Sequence, residues 1–486
     1  MKHTDASEAA SKKDGNKSFS SISLKSFITV VTILCAVLAI SGLLSYLIPQ
    51  GSFERDQNGI IIKDSYVQGE ISGIPVWRIL TAPIRVFFSE DALTIIMISL
   101  FLLIMSGVFN LIEKTDGIRV FIGKIVKKLA KKGAPVVCLS VLLFMLFGSF
   151  FGMFEELATL IPLMIILMLS LGMDTMTGLG TCLLAACFGF SAAITNPFSV
   201  GLAASVANTN TLDGVWLRIV FFVLIYITLC AFLLIHLKRI RKNPKSSPTY
   251  EIDLQKRENI GDFLASSEHS EDKIFKIYSA FFGIQGLMLV LIASVRVLSD
   301  LAIPILSASF LISGITAGIL LEGNLKKPLK YMLDGAVSML PAVLMIAIAS
   351  SVKLVMTESK IIDTVMNFAI EQLKDKNKFV AILLIYVLIL FLQMFIGSAS
   401  AKIMLVMPIM MPICAALGLS PAIVILAYCI ADGFTDVIIP TNPILLVGLS
   451  MANVSYGKWL KWTWKLQLAV LVLTVLVLLF AVGIGY

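Results

Sequence analysis

The chain has 486 residues, of which 58% are hydrophobic and 14% are charged, whereas an ordinary soluble domain carries about 25% charged residues. This composition excludes a soluble globular protein and indicates a polytopic membrane protein, because each recurring apolar stretch is long enough to cross a hydrocarbon core of about 30 Å. The net charge of +8 comes from basic residues between those stretches, as in positive-inside topology, so it indicates no nucleic-acid partner. The seven cysteines lie inside apolar stretches, which predicts neither a disulfide framework nor a zinc site.

The N-terminal third begins with a polar segment. Residues 1–26 are rich in Ser and Lys, which predicts a disordered cytoplasmic arm. Residues 27–91 hold a first helix and an external loop, in which "NGI" at 58–60 is a candidate hairpin turn. Residues 118–132 place apolar residues at helical spacing with lysines opposite, which predicts an amphipathic helix on the cytoplasmic interface.

Two long apolar blocks follow, and a basic linker separates them. The linker opens with "HLKRIRKNPK", and this cluster marks it as cytoplasmic. We predict these segments in chain order: a first repeat over 92–235 with a hairpin at 134–171 and a broken helix at 178–207, the linker over 236–272, scaffold helices over 273–334, and a second repeat over 335–486 with a hairpin at 379–417 and a broken helix at 421–452.

The two blocks are copies of one another. "PLMIILMLSLG…FGFSAAITNPFSVGLAASVAN" at 162–208 aligns with "PIMMPICAALG…FTDVIIPTNPILLVGLSMAN" at 408–453, and 408 − 162, 418 − 172, 434 − 188 and 442 − 196 all equal 246. Both copies contain Thr-Asn-Pro in this register. An internal repeat of this kind indicates duplication.

The positive-inside rule orients the copies. With a cytoplasmic N-terminus, all the lysine clusters fall inside if each hairpin enters and leaves on one face, and the second copy is then inverted relative to the first. We therefore predict an all-α polytopic protein of the bacterial plasma (inner) membrane with an inverted-topology repeat, about nine transmembrane helices, two re-entrant hairpins and two broken helices. This is the layout of a secondary transporter, in which substrate and ion sites lie near the midplane.

The Thr-Asn-Pro tripeptides predict where the two broken helices are interrupted. Proline lacks an N–H, and the residue before it is biased away from helical backbone. Broken backbone inside a membrane is tolerated where it lines a cavity, so freed carbonyls and polar side chains at the breaks and hairpin tips are candidate ligands for Na⁺ or part of a proton pathway. The residues concerned are Thr195, Asn196, Thr441, Asn442, Ser398 and Ser400, with Pro197, Pro443, Gly148 and Gly397 as the structural breaks.

Ionisable residues inside the apolar blocks are the second set of candidates. A charge at a helix centre costs about 2.5 to 3.5 kcal/mol on insertion scales, so a retained charge indicates a functional pathway. The set comprises Glu155, Glu156, Lys402, Asp432 and Asp436. Because 402 − 246 = 156, Lys402 takes the place of Glu156, and a structural ion pair between these two is the alternative interpretation. Lys353 and Arg296 fall near predicted helix ends, where long basic side chains snorkel.

Enzyme motifs are absent from the sequence. No nucleotide-binding loop, zinc-protease helix or nucleophile elbow occurs, and Asp432 and Asp436 lie on one helix face rather than on two facing helices. We predict no enzyme activity and no cofactor beyond a coupling Na⁺ or H⁺.

Five segments resemble the YfcC-type branch of the C4-dicarboxylate anaerobic carrier family. They are "YLIPQGSFER" (46–55), "GVFNLIEKTDGI" (107–118), "FGMFEE" (151–156), "NPFSVGLA" (196–203) and "ADGFTDVIIPTNPIL" (431–445). The resemblance implies membership of the ion transporter superfamily, an elevator motion of hairpins and broken helices against a fixed scaffold, and a homodimer that meets through scaffold helices. The family name implies dicarboxylates, whereas members of this branch are described as basic amino acid antiporters, some for arginine/ornithine exchange.

The predicted site residues distinguish between these substrates. Four acids face one base, and no arginine is present to grip a carboxylate with two hydrogen bonds. We therefore expect a transporter of cationic amino acids that works in a lipid bilayer on a small-molecule substrate. A C4-dicarboxylate carrier and a Na⁺/H⁺ antiporter without organic substrate are the alternatives, and a channel or membrane enzyme is a further class.

Overall fold

The structure is a computed structural model. It describes residues 24–54, 65–118, 120, 121, 124, 133–158, 160–265, 271–294, 301–373 and 376–486. Most of the predicted N-terminal arm, the "NGI" turn, Arg296 and most of the predicted amphipathic helix at 118–132 lie outside these residues.

The N-terminal part is helical apart from one small sheet. Strands β1 and β2 pair antiparallel, with Gly51 opposite Gln68. Helix α3 enters the interior with its second half, where every residue from Met105 to Ile112 is buried. The elements are α1 (Leu24–Leu44), β1 (Gly51–Ser52), β2 (Val67–Gln68), α2 (Val76–Arg85), a 3₁₀ turn (Val86–Phe88) and α3 (Ala92–Lys114).

The first repeat contains short helices separated by breaks. Its elements are α4 (Gly133–Phe151), α5 (Glu155–Ala158), α6 (Ile161–Ser170), α7 (Thr175–Leu179), a π turn (Gly180–Leu184), α8 (Ala185–Ser191), a second π turn (Pro197–Gly201), α9 (Leu202–Val206) and α10 (Val215–Lys242). Helices α4 to α6 form a hairpin, and α7 to α9 form a helix that is broken between Ser191 and Pro197.

The remaining elements comprise the linker, the scaffold and the second repeat. They are a 3₁₀ turn (Pro244–Ser246), α11 (Tyr250–Ala265), α12 (Glu271–Ser294), α13 (Ala302–Glu322), α14 (Lys326–Ser338), α15 (Leu340–Glu358), α16 (Ile361–Leu373), α17 (Lys378–Gln393), α18 (Ala399–Ala416), α19 (Pro421–Gly433), a 3₁₀ turn (Phe434–Val437), α20 (Pro443–Ala452) and α21 (Tyr456–Ile484). Helices α17 and α18 form the second hairpin, and α19 and α20 form the second broken helix.

Six helical stretches in the described part of the chain are long and apolar enough to cross a membrane. They are α3, α4, α10, α13, the continuous α14–α15 and α21. Shorter apolar helices make up the second hairpin and both broken helices. The predicted all-α polytopic class, with paired hairpins and broken helices, is confirmed.

Local caps occur at the same register in both repeats. Asn196 accepts hydrogen bonds from the amides of the two residues that follow Pro197, and Asn442 does the same after Pro443. Likewise Asp174 caps α7 and Ser420 caps α19, and 420 − 174 is again 246. A side-chain oxygen that caps the first amides of a helix fixes where the helix begins. The repeated sequence therefore produces repeated backbone geometry.

Equivalent residues of the two repeats touch each other at the centre of the protein. The rings of Phe188 and Phe434 meet edge to face with centroids 5.0 Å apart, and the Cys187 thiol donates to the Gly433 carbonyl at 2.9 Å. Both pairs are separated by 246 residues. A residue meets its own equivalent only where a twofold axis passes between the two. The pseudo-twofold axis therefore lies between Phe188 and Phe434.

A second contact gives the direction of the broken helices. The Lys256 ammonium donates to Thr175 Oγ1 at 3.2 Å and to the Ala452 carbonyl at 2.7 Å. Thr175 begins the first broken helix, and Ala452 ends the second. The start of one and the end of the other therefore lie on the same membrane face, so the two broken helices run antiparallel, as an inverted repeat requires. We call this face the basic face, because α10 reaches it with Arg239, Arg241 and Lys242 in its last turn.

Close contacts join helices α3 and α14. A side chain at Gly107 in α3 would come within 2.7 Å of the Met332 carbonyl in α14. Ser106 donates to the Gly335 carbonyl at 2.8 Å, and Asn110 donates to the Tyr331 carbonyl at 2.6 Å. Small residues and interhelical hydrogen bonds of this kind hold helices together in lipid, where the hydrophobic effect between helices is lost.

Candidate functional site

A cavity of about 340 Å³ lies where the two hairpin tips, the second break and the scaffold helices α3, α13 and α15 converge. Several predicted residues line it. These are Glu155, Gly397, Ser398, Ser400, Asp432, Asp436, Thr441, Asn442 and Pro443. Phenylalanines and aliphatic side chains supply much of the remaining wall. An apolar cavity with a few convergent polar groups is the usual form of a small-molecule site.

Asp432 stands at the end of α19, immediately before the second break. Its carboxylate forms an ion pair with Lys402 of α18. Lys402 is 0% exposed and Asp432 is 1% exposed. Asp432 borders the cavity and Lys402 is not part of the described lining, so Lys402 lies behind Asp432. A structural ion pair between Lys402 and Glu156 was the alternative interpretation of the sequence; the structure pairs Lys402 with Asp432, and the side chain of Glu156 lies outside the described residues.

Asp436 is the second buried acid of the cavity. It accepts a hydrogen bond from the Gln393 amide at the end of α17 and contacts the Asn442 side chain. The side-chain oxygen of Asn442 caps α20 by accepting from the amides of Ile444 and Leu445 at 2.9 and 3.3 Å. Asp436 thus connects the second hairpin to the second broken helix.

Side chains satisfy backbone carbonyls at the second break and at the end of the facing hairpin helix α17. The Trp459 indole donates to the Val437 carbonyl at 2.6 Å, and the Tyr456 hydroxyl donates to the Ile438 carbonyl. The Thr441 hydroxyl donates to the Met394 carbonyl at 3.0 Å. In a membrane each unsatisfied backbone group costs several kcal/mol. These three side chains therefore allow irregular backbone beside the cavity.

The first break is closed by its own hairpin. The Ser149 carbonyl accepts from the amides of Ile194, Thr195 and Asn196 at 3.0 to 3.3 Å, and the Ser149 hydroxyl donates to the Ala192 carbonyl at 2.6 Å. The Thr195 hydroxyl donates to the Phe150 carbonyl at 3.3 Å, which mirrors Thr441.

Predicted residues of the first repeat divide between the cavity and this closed break. Glu155 lines the cavity, whereas Thr195, Asn196, Pro197 and Gly148 lie outside its lining. Gly148 lies against α8, where an added Cβ would come within 2.3 Å of the Ala186 carbonyl. From beside the first break the lining takes the apolar Phe190 and Phe198, whereas the second break supplies polar residues, so the cavity is asymmetric.

Two charged residues of the cavity were not among the predicted site residues. Lys353 of α15 pairs with Asp91, which precedes α3, at 2.6 and 2.8 Å. Both residues line the cavity. Asp91 had been interpreted as the end of a polar loop, and Lys353 as a residue that snorkels at a helix end. Their separation of 262 residues leaves no local sequence signal for the pair.

The linker helix α11 contacts the ends of both broken helices that lie at the basic face. Asp253 accepts from the Thr175 amide at 3.2 Å, from its hydroxyl at 2.5 Å and from the Thr249 hydroxyl at 2.7 Å, while Lys256 joins Thr175 to Ala452. Burial raises the pKa of Asp253 and lowers the pKa of Lys256 to about 8. We call Asp253, Lys256 and their partners Thr175 and Ala452 the linker clamp.

The described residues contain no cluster of three or more metal-ligating side chains. An inverted pair of hairpins and broken helices around a central cavity defines a multi-pass membrane transporter. Residues 24–483 match the family described as "C4-dicarboxylate anaerobic carrier". The chain belongs to this family, as the sequence resemblance implied.

Two curated relatives support this membership. The protein named "Putative basic amino acid antiporter YfcC" of Escherichia coli (strain K12) is 24% identical over 383 residues, which cover 76% of this chain and 74% of that protein. An uncharacterised protein of Haemophilus influenzae is 28% identical over 378 residues, which cover 76% of this chain and 72% of that protein.

Solved transporter structures also align over most of the chain. The YdaH transporter of Alcanivorax borkumensis aligns with a TM-score of 0.44 and 18% identity over 95% of this chain and 99% of that chain. Neisseria gonorrhoeae MtrF aligns with a TM-score of 0.43 and 14% identity over 93% of this chain and 94% of that chain.

Proposed function

We propose that this transporter moves cationic amino acids of the arginine or ornithine type by an elevator mechanism. The observation that carries the substrate class is the charge of the cavity. Four acids line it, namely Asp91, Glu155, Asp432 and Asp436, and Lys353 is the single basic residue of the described lining. With Lys402 behind Asp432 counted, the formal charge is −4 + 2 = −2. A negative cavity favours a substrate that carries positive charge.

The cavity also has groups for an α-carboxylate. Asn442 and Pro443, at the start of α20, line it, and the N-terminus of a helix attracts anionic groups through its free amides and its dipole. Lys353 adds a positive charge on the scaffold side. A zwitterion with a cationic side chain can therefore place its carboxylate towards α20 and its side chain towards Asp432 and Asp436.

The elevator mechanism rests on which elements carry the cavity. The hairpins and broken helices are joined to one another at Ser149, Thr441 and Gln393, and they form the proposed moving unit. Helices α1 to α3 and α12 to α15 form the scaffold, which the contacts of Ser106 and Asn110 hold together. Movement of the moving unit against the scaffold would carry the cavity from one membrane face to the other.

We further propose that the basic face is cytoplasmic, that the N-terminus lies inside a bacterial plasma membrane, and that two copies meet through scaffold helices. The orientation follows from the Lys and Arg residues at the end of α10 and the positive-inside rule.

Counterflow tests the substrate proposal. Purified protein in liposomes preloaded with ornithine should take up radiolabelled arginine faster than unloaded liposomes, and a series of Na⁺ gradients tests whether Na⁺ contributes. Protein-free liposomes are the control. Succinate uptake without arginine or ornithine uptake would refute the proposed substrate class.

A dicarboxylate is the second candidate, and the printed description of the family is the observation that favours it. The α20 N-terminus and Lys353 would then hold the two carboxylates. Succinate counterflow in the same liposomes distinguishes the two substrates. Collapse of a pH gradient by Na⁺ in the absence of either substrate would instead indicate a Na⁺/H⁺ antiporter.

A further inference from the structure

The Lys402–Asp432 pair is buried but incompletely hydrogen-bonded. Apart from their contact with each other, the Lys402 ammonium and both Asp432 oxygens have no hydrogen-bond partner among the described residues. An ammonium group can donate three hydrogen bonds, and a carboxylate can accept about four. Asp432 borders the cavity, and its unused acceptor capacity lies just behind the cavity wall, because both oxygens are shielded from solvent.

Both members of the pair belong to the same proposed moving unit. Lys402 lies in α18 of the second hairpin, and Asp432 ends α19 of the second broken helix. The Tyr428 hydroxyl of α19 donates to the Ala399 carbonyl at the start of α18 at 2.6 Å. The pair therefore travels as one body whenever the cavity changes sides.

The first repeat holds no copy of this pair. Since 432 − 246 = 186 and 402 − 246 = 156, the equivalent positions hold Ala186 and Glu156. The pseudo-symmetric architecture therefore does not itself require Lys402 or Asp432, and their presence in one repeat requires a separate reason.

We propose that Lys402 is a tethered counter-cation that allows the substrate-free cavity to cross the membrane. This inference rests on the elevator mechanism proposed above. Without Lys402, the empty moving unit would carry Asp432 as an unpaired carboxylate through the low-dielectric interior. A cost of about 2.5 to 3.5 kcal/mol for such a charge slows the crossing on the order of 100-fold. A cationic substrate brings its own charge to Asp432, so the loaded carrier crosses without Lys402.

Thiol labelling from each side of the membrane tests the crossing of the empty carrier and needs no substrate. Ser398 is exposed in the cavity, and Ser398→Cys serves as the reporter. A membrane-impermeant maleimide is added to right-side-out and inside-out vesicles, with the protein that lacks Ser398→Cys as background. The reporter protein should react from both sides. Adding Lys402→Gln should reduce the labelling rate from one side on the order of 100-fold.

Two further variants distinguish charge compensation from a structural role. The double substitution Lys402→Gln with Asp432→Asn removes the unpaired charge and should restore two-sided labelling to within about threefold of the reporter protein. Lys327→Gln removes a lysine that pairs with Glu322 outside the cavity and should leave labelling unchanged, because an exposed ion pair contributes little. One-sided labelling of the reporter protein, two-sided labelling of Lys402→Gln, or no recovery in the double variant would each overturn the proposal.

Transport gives a second measurement on the same variant. In Lys402→Gln protein, net arginine uptake into empty liposomes should fall on the order of 100-fold, while ornithine-stimulated exchange stays within about fivefold. An equal fall in both would overturn the role of Lys402 in the return step. Absence of arginine transport in unmodified protein would instead refute the substrate class, while the labelling experiment would still decide the role of Lys402.

Discussion

The linker clamp should make folding stability depend on pH in a way that can be traced to Lys256. Its ammonium is enclosed between Thr175 and Ala452. Burial lowers its pKa from 10.5 to about 8, although the charge of Asp253 opposes part of this shift. Between pH 8 and 10.5 the unfolded chain therefore binds more protons at this residue than the folded protein does.

The sign and size of the effect follow from proton linkage. Stability rises with pH wherever the unfolded state binds more protons. With a folded pKa of about 8 and an unfolded pKa of 10.5, the contribution of Lys256 to the free energy of unfolding increases by about 2 kcal/mol between about pH 7.5 and pH 9.5. The deprotonated amine still donates to Ala452, so the clamp remains closed at the higher pH.

Lys256→Met isolates this contribution, because methionine retains an unbranched apolar side chain and cannot titrate. The free energy of unfolding of each protein in detergent is measured by equilibrium titration with SDS at both pH values. As the pH rises, the free energy of unfolding of the unmodified protein should increase by about 2 kcal/mol more than that of Lys256→Met. Lys245→Met, at an exposed lysine of the same segment, is the matched control and should change with pH as the unmodified protein does.

An equal change with pH in Lys256→Met and the unmodified protein would show that Lys256 does not cause the pH dependence. Buried tyrosines and cysteines also titrate in alkaline solution, but they are common to all three proteins and cancel in the difference.

Three further substitutions test other contacts, each by SDS titration at neutral pH. Ser149→Ala removes the hydrogen bonds of its hydroxyl with Ala192 and Ile194 and should lower the free energy of unfolding by about 1 to 2 kcal/mol. An unchanged free energy of unfolding would show that backbone hydrogen bonds alone stabilise the first break. Gly433→Ala places a Cβ 2.1 Å from Ser191 Oγ and should cost about 1 to 3 kcal/mol, whereas Gly283→Ala, where nothing lies within 4 Å, should cost nothing. Asp432→Asn leaves Lys402 without its counter-charge and should lose about 3 kcal/mol together with arginine uptake, and adding Lys402→Met should restore the stability but not the uptake.

The position of the two breaks could be predicted from the sequence, because proline lacks a donor and asparagine caps the following amides. The constant offset of 246 residues likewise predicted a duplication, and the distribution of basic residues predicted its inverted topology. These features depend on local chemistry or on comparison of the chain with itself, and both are available without coordinates.

Charge partners could not be predicted in the same way. The offset relates Lys402 to Glu156 by symmetry, but an ion pair requires proximity, and Lys402 contacts Asp432 on a neighbouring helix. Asp91 and Lys353 meet only because α3 and α15 both border the cavity. The asymmetry between the breaks could not be predicted either, because it depends on the hydrogen bonds of Ser149 with the first break.

The contact of Phe188 with Phe434 on the pseudo-twofold axis bears on how the protein evolved. Before the two halves were fused, one ancestral phenylalanine would have faced its own copy in a homodimer, so any substitution there changed both sides of the contact at once. In such a homodimer, a single codon therefore determined both sides of each contact on the axis. After fusion each half had its own codons, and off-axis positions such as 186 and 432, now alanine and aspartate, were free to diverge. Gene fusion thus released one half to acquire a charge that a symmetric dimer would have had to carry in duplicate.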